Sequence, residues 1–154
     1  MTKKSTMKMI IRKTFMALVC LFFFVGTACA DNDKPITMSQ LPVAAQTMVK
    51  QYFKGKNVAL VTIDRALGNR SYDVVFSNGE KIEFDRKGNW TDIDCRSNSV
   101  PARLIPSTIA SYIRTHHAGT KVVKIERDKS ETDVKLSNGI ELTFNKKNQL
   151  VDID

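Results

Sequence analysis

Few residues in this chain could carry out chemistry, and they do not cluster in the sequence. The two histidines, His116 and His117, are adjacent. The chain has no His-x3-His or Cys-x2-Cys spacing of the kind that holds zinc. Both histidines fall on the apolar stripe of a helical pattern, so we expect them to pack at the core or at the helix end.

Two Asp-x-Asp pairs, Asp92/Asp94 and Asp152/Asp154, are the other candidates for a metal site. Paired carboxylates can bind calcium, but calcium loops also carry a glycine turn that neither pair has. The isoleucine between the two carboxylates of each pair suits a strand with one buried face. We therefore expect these carboxylates to line the solvated side of a strand, and we expect no metal site.

Nucleophilic catalysis has no support in the sequence. Ser107, Ser111 and Ser137 have no histidine or carboxylate at a spacing that would position a base beside them. The sequence therefore predicts a protein that is not an enzyme and that uses no cofactor.

The first thirty residues predict a secretory signal. Five basic residues precede an apolar run at residues 15–26, and the small residues of Ala28-Cys29-Ala30 follow. The run is shorter than the roughly twenty apolar residues that cross a bilayer, so we expect no membrane span. Cleavage after Ala30 predicts a periplasmic or secreted protein. The alternative is a lipoprotein anchored through Cys29, since a small residue precedes this cysteine.

The charge of the chain gives little support to nucleic-acid binding. Removing residues 1–30 would remove five of the 24 Lys and Arg and none of the 16 Asp and Glu, leaving a net charge of +3. The remaining charges are interspersed and lack aromatic platforms. Cys95 is the one cysteine beyond the leader, and we expect it to be buried as a small apolar side chain.

An internal repeat governs the predicted architecture. Ser77-Asn78-Gly79 returns as Ser137-Asn138-Gly139, and Trp90 to Asp94 match Leu150 to Asp154. We predict an N-terminal tail at 31–38, a first repeat at 39–95, a linker at 96–104 and a second repeat at 105–154.

The predicted fold is α+β, with two tandem repeats that each contain one helix followed by a four-stranded antiparallel meander. An amphipathic pattern ending at Gly55 or Gly119 predicts each helix, and period-two alternation predicts the strands. Asn78-Gly79 and Asn138-Gly139 predict two-residue hairpins, and Gly88 and Asn148 suit left-handed turn positions. The pattern leaves open whether the two sheets pair edge to edge or stack.

The sheet face opposite the helix differs between the two repeats. The first repeat is expected to present apolar side chains there, namely Val58, Leu60, Val75 and Trp90. The matching positions of the second repeat are Val122, Lys124, Lys135 and Leu150. An exposed apolar patch rimmed by charge predicts contact with a partner. The alternative, equally open at this point, is that Trp90 is buried at the junction between the repeats.

These segments resemble the PepSY-like proteins of the bacterial periplasm, a group classed as β-lactamase-inhibitor-like. The resemblance rests on the Leu41-Pro42 helix start, on residues 72–79 (Tyr-Asp-Val-Val-Phe-Ser-Asn-Gly) and on residues 82–90 (Ile-Glu-Phe-Asp-Arg-Lys-Gly-Asn-Trp). It implies a sheet with helices on one side and an open face that grips a protein.

The favoured function is a secreted cell-envelope module that binds an unknown protein or peptide through the open sheet face, with inhibition of a peptidase or other hydrolase as one form of that role. The alternative is a small-ligand or stress-sensing periplasmic module that binds between the repeats.

Overall fold

The computed structural model describes residues 33–65 and 70–154. The predicted signal peptide and the alternative lipid anchor at Cys29 lie outside the described residues. The helices are α1 (Val43–Tyr52) and α2 (Ser107–His116), and each has 10 residues. The strands are β1 (Lys34–Pro35), β2 (Val58–Asp64), β3 (Ser71–Phe76), β4 (Lys81–Phe84), β5 (Trp90–Asp94), β6 (Val122–Arg127), β7 (Glu131–Leu136), β8 (Glu141–Asn145) and β9 (Leu150–Ile153).

The nine strands of the described residues form a single sheet in the order β1 to β9, and every neighbouring pair is antiparallel. The predicted fold class of two repeats, each with its own helix and four-stranded meander, is therefore wrong. β5 pairs with β6 through Ile93 and Ile125, so the ladder crosses the predicted linker without a break. Two short helices on a nine-stranded sheet fit the term α+β only loosely.

The physical reason for the error lies at the strand edges. Period-two alternation and turn residues specify hairpins, but they do not say which edges join afterwards. An unpaired β5 edge would leave a row of N–H and C=O groups to be satisfied, and pairing with β6 satisfies them. β1 also comes from the segment that we predicted to be a loose tail. The segment boundaries at 39–95, 96–104 and 105–154 stay a prediction.

Both helices pack on one face of the sheet. Phe53, just after α1, stacks on Phe76 of β3 with ring centroids 5.4 Å apart. Tyr112 of α2 meets Phe144 of β8 edge-on at 5.7 Å. The buried helix positions are spaced as one helix face requires, and they are Ala45, Met48 and Val49 in α1 and Ile109 and Ile113 in α2. The other sheet face, which we call the open face, carries no helix from the described part of the chain.

The turns were predicted partly correctly. Gly88 and Asn148 have φ of 83° and 56°, so their predicted left-handed conformations are confirmed. The Asn78-Gly79 turn is not the predicted two-residue hairpin, because only Gly79 has positive φ and Phe76 N–H bonds Glu80 O across three intervening residues. This is a type I turn completed by a left-handed glycine, the three-residue alternative for such hairpins.

Candidate functional site

A row of carboxylates crosses the open face. Adjacent strands place acidic residues directly opposite one another from β3 to β7, through the pairs Asp73–Glu83, Glu83–Asp92, Asp92–Glu126 and Glu126–Asp133. Thr143 of β8 faces Asp133, and Asp152 of β9 faces Thr143. We call these six carboxylates (Asp73, Glu83, Asp92, Glu126, Asp133 and Asp152) the acidic row.

Such an arrangement is costly for a sheet. Like charges directly opposite on neighbouring strands repel one another and destabilise the pairing. In a stable protein, this repulsion between carboxylates must be offset by other charges, either within the protein or on a bound partner.

A second row beside the first offsets part of the repulsion. It runs Lys81, Asp94, Lys124, Lys135 and Glu141 on β4 to β8. Lys81 Nζ lies 3.0 Å from Asp73 and 2.8 Å from Glu83, and Lys124 Nζ lies 2.9 Å from Asp92. The side chains named in the two rows are eight carboxylates and three lysines, so together they carry a formal charge of −5 although the chain is basic overall.

The centre of the acidic row is only partly hydrated. The Asp92 side chain is 17% exposed, and its Oδ1 has no hydrogen-bond partner. Burial raises the pKa of Asp92 to about 6 against the opposing effect of Lys124, and Glu126 and Glu83 raise it further. Burial likewise raises the pKa of Asp73. The charge of the open face therefore changes between weakly acidic and neutral pH.

Two of the four predicted partner-binding residues lie together on the open face. Leu60 of β2 is 45% exposed and stands directly opposite Val75 of β3, which is half-buried. This apolar pair lies next to the second row, because Val75 also pairs with Lys81, the first residue of that row. The pair forms a small apolar step at one end of the charged surface.

The other two predicted residues turn toward the helix-covered side. Val58 stands opposite Phe76, and Trp90 stands opposite Phe84. Irregular register at each place, between Val58 and Leu60 and between Glu83 and Phe84, shifts the alternation by one residue. Strict period-two counting therefore assigned Val58 and Trp90 to the wrong face.

Trp90 is buried at the junction, the alternative that the sequence left open. It is 8% exposed and belongs to the hydrophobic core. The guanidinium of Arg127, from the end of β6, lies 3.6 Å from the centroid of its ring, and Arg127 Nε donates to Trp90 O at 2.9 Å. This cation–π contact ties β5 to β6.

The histidines and the Asp-x-Asp pairs form no reactive group. His116 and His117 contact the ring of Tyr112 at 4.4 and 6.0 Å between centroids. Asp94 accepts the backbone N–H of Arg96 at 2.7 Å, while Asp92 binds Lys124. Within residues 33–65 and 70–154, no three His, Cys, Asp or Glu side chains are grouped to hold a metal ion.

Glu80 is a functional candidate that sequence reasoning missed. It is 1% exposed, bonds the ammonium of Lys56 and accepts the Asn98 side-chain amide at 2.8 Å. The neighbouring Cys95 is buried, and its pKa is raised to about 11 by burial and by Glu80. Ile140 occupies the matching position in the second half of the chain. The difference between glutamate at one position and isoleucine at the other is the sequence signal that could have identified Glu80. Glu80, Lys56 and Asn98 come from three different loops, and their contacts enclose the Glu80 carboxylate.

A shallow cleft of about 380 Å³ lies between α2, the loop before it and the start of β6. Its floor is apolar, with Val100 and Ile113, and its rim includes Arg114, His117 and Lys121. It therefore suits a small anionic molecule with an apolar body better than a cation.

No helix in the described part of the chain has the length and apolarity needed to cross a membrane.

A comparison with known protein families identifies the group to which this chain belongs. The profile of the family described as "Putative beta-lactamase-inhibitor-like, PepSY-like" matches residues 70–152. The chain belongs to this PepSY-like family. The predicted family membership is thus confirmed, and the family is described as inhibitor-like.

Solved structures support the same conclusion. A "putative calcium-regulated periplasmic protein" from Bacteroides thetaiotaomicron is 49% identical, with a TM-score of 0.79 over 81% of this chain and 98% of that one. A "putative periplasmic protein" of the DUF2874 family from Bacteroides vulgatus is 45% identical, with the same TM-score and coverage. A second B. vulgatus protein, a "putative periplasmic protein of unknown function", is 35% identical, with a TM-score of 0.76 over 79% of this chain and 98% of that one. No curated protein matches. The predicted periplasmic location is confirmed.

Proposed function

We propose that this PepSY-like protein is a non-enzymatic periplasmic module that binds a protein or peptide partner through the open face of its sheet. The observation that carries the proposal is the acidic row, which concentrates six carboxylates across β3 to β9 on the face opposite the helices.

The chemistry of the face specifies the partner. A segment bearing several Lys or Arg side chains complements the two rows, whose formal charge is −5, and would relieve the repulsion between opposed carboxylates. Leu60 and Val75 offer an apolar contact at one end of the rows, so an apolar residue is expected to accompany the basic ones. Inhibition of an envelope hydrolase is the form of binding that the family description supports, with a basic loop of the hydrolase as the bound segment.

Titration with a basic and an acidic peptide of equal length tests the proposal. A decalysine peptide should bind, its affinity should fall steeply with salt, and decaglutamate should not bind. Glu83→Gln/Glu126→Gln should weaken decalysine binding about tenfold, since each lost charge contact contributes about 0.5–1 kcal/mol at an exposed site.

A matched control changes the charge elsewhere. Lys50→Gln/Lys54→Gln alters two exposed charges on and just after α1, away from the open face, and should leave decalysine affinity within about twofold. Equal binding of the two peptides, or equal effects of the two double variants, contradicts the proposal. Capture from periplasmic extract on wild type and on the Glu83/Glu126 variant, followed by hydrolase assays, would then identify the natural partner.

The alternative function, small-ligand binding, was expected between the repeats, but the cleft that suits a ligand lies beside α2 and is lined by residues of the predicted linker and second repeat. Its apolar floor and the cationic side chains of Arg114 and Lys121 at its rim favour a small amphiphile with a carboxylate or phosphate. Protection against thermal unfolding by a fatty acid, lost in Arg114→Gln/Lys121→Gln, would favour this role over partner binding.

A further inference from the structure

The edge strand β9 presents an outer backbone edge, which is distinct from the side-chain surface of the open face although Asp152 of the acidic row lies on this strand. Among the described residues, β9 pairs only with β8. Val151 and Ile153 on this strand are 53% and 51% exposed, which is unusual for large apolar side chains on the edge of a sheet. Neither carries a charge that would discourage pairing.

The backbone of β9 is oriented for a further strand. Asp154 exchanges both backbone hydrogen bonds with Glu141 of β8, each at 2.9 Å. Residues alternate in an antiparallel ladder, so the preceding residue, Ile153, directs its N–H and C=O away from β8. The Ile153 N–H meets the Oδ1 of Asp152 at 3.0 Å. A partner strand could take over that donor.

The protein contains its own template for such a partner. β5 matches β9 in sequence, and its equivalent edge is occupied by β6. In that junction Ile93 faces Ile125 and Asp94 faces Lys124, whose ammonium reaches Asp92 at 2.9 Å. A strand on β9 in the same register would place an apolar residue opposite Ile153 and a basic residue opposite Asp154.

A second copy of this chain fits the edge less well. The matching edge of a second copy is β2, because β2 aligns with β6, but there Lys34 and Pro35 already pair with Ile63 and Thr62. Ile36 N–H also bonds Val61 O at 2.9 Å, so β1 covers the stretch that head-to-tail assembly would need.

Two-fold pairing of β9 with itself is also disfavoured. Centred on Asp152 or on Ile153, it would set carboxylates opposite each other, Asp152 against itself or against Asp154.

We propose that β9 is a docking edge for an extended segment of another protein, which adds antiparallel to the sheet with a β-branched residue opposite Ile153 and a lysine or arginine opposite Asp154. Main-chain hydrogen bonds supply the attraction, and the apolar and basic positions set the register. The edge binds through its backbone and the open face through its charged side chains, and Glu83 and Glu126 lie on strands away from β9, so either binding mode can fail without the other.

A peptide with the sequence of residues 120–128 (Thr-Lys-Val-Val-Lys-Ile-Glu-Arg-Asp), capped at both ends, is the probe, because it reproduces β6. Amide hydrogen exchange on the full mature protein gives the readout residue by residue. At free peptide about ten times Kd, exchange of the Ile153 amide should slow about tenfold, because only the unbound fraction exchanges. The amides of β5 and β6 should not change.

Two controls make the test specific. A peptide with N-methyl groups on alternate amides cannot complete the ladder and should give no protection at Ile153. Ile153→Pro removes the outward N–H while leaving the bonds between Asp154 and Glu141, so it should abolish peptide binding. Should that variant fold poorly, the N-methylated peptide still separates the outcomes.

Several results would overturn the proposal. They are no protection at Ile153 at saturating peptide, equal protection by the N-methylated peptide, or protection at β5 and β6 in place of β9. Concentration-dependent self-association that Ile153→Pro abolishes would assign the edge to a second copy of the chain. Loss of decalysine binding in the Glu83/Glu126 variant with β6-peptide binding retained would show that the two surfaces act separately.

Discussion

Replacing Asp92 with Asn should stabilise this protein at neutral pH. The carboxylate lies at the centre of the acidic row, between Glu83 and Glu126, and its Oδ1 has no hydrogen-bond partner. Burial raises its pKa from 3.8 to about 6 despite the ion pair with Lys124. The ionised form is therefore disfavoured in the folded protein relative to the unfolded chain.

The sign and size follow from proton linkage. Between pH 3.8 and about 6 the folded state holds this proton more tightly than the unfolded state, so the contribution of Asp92 to wild-type stability falls as the pH rises through that window. The rise in pKa corresponds to about 3 kcal/mol at 1.36 kcal/mol per unit. Since 17% of the side chain remains exposed, solvent screening reduces the expected gain for Asp92→Asn to about 1–3 kcal/mol above pH 7.

Urea unfolding of both proteins from pH 3.5 to 8 measures the effect. The difference in free energy of unfolding should be near zero below pH 4, where the carboxyl is protonated, and should grow in favour of the variant up to about pH 7. Asp85→Asn is a control of opposite sign. Hydrogen bonds from Asn89 and Lys87 outweigh the effect of burial and lower the pKa of Asp85. A pH-independent difference for Asp92→Asn, or a less stable variant at pH 8, would refute the reasoning.

Three further predictions concern the core. Glu80→Ala should lower the free energy of unfolding by about 1–3 kcal/mol in urea titrations, because it leaves the Asn98 side-chain amide without its acceptor and removes the partner of the partly exposed Lys56, whereas Glu80→Ile with Lys56→Thr, which copies the second half, should recover much of the loss; equal losses in both would contradict this. Native Cys95 should not react with a thiol reagent at pH 8 until urea unfolds the chain, because burial raises its pKa to about 11; rapid labelling of folded protein would show that the thiol is accessible. Gly88→Ala should lower the melting temperature more than Gly139→Ala, since a Cβ at Gly88 would lie 2.8 Å from Pro42 Cβ and one at Gly139 meets nothing within 4 Å; equal shifts would mean that φ alone sets the cost.

Local features of the fold were predictable from sequence. Glycine at 55 and 119 ends each helical pattern with φ of 84° and 83°, because only a residue without Cβ adopts this conformation at little cost. Phe84 and Phe144 are fully buried, as the alternation of their strands predicts.

The features that depend on pairing between distant segments were not predicted from the sequence. The pairing of β5 with β6 depends on edge satisfaction between distant segments, which no local pattern records. Register irregularities moved Val58 and Trp90 to the covered face, and a bulge leaves little trace in a single sequence.

The acidic row is also a feature that local sequence patterns do not predict. Each of its carboxylates looks like an ordinary solvated strand position, and only the register across successive strands brings them side by side. Glu80 was overlooked for a different reason, because its significance lies in the contrast with Ile140 rather than in a motif.

The most direct test of the central claim is a map of amide and side-chain NMR shifts during titration with decalysine. Binding through the open face predicts that the largest shifts fall on the acidic row and on Leu60 and Val75, and that α1 and α2 stay unchanged. Shifts confined to the cleft beside α2, or spread evenly over all exposed carboxylates, would contradict the claim that this face is the binding surface.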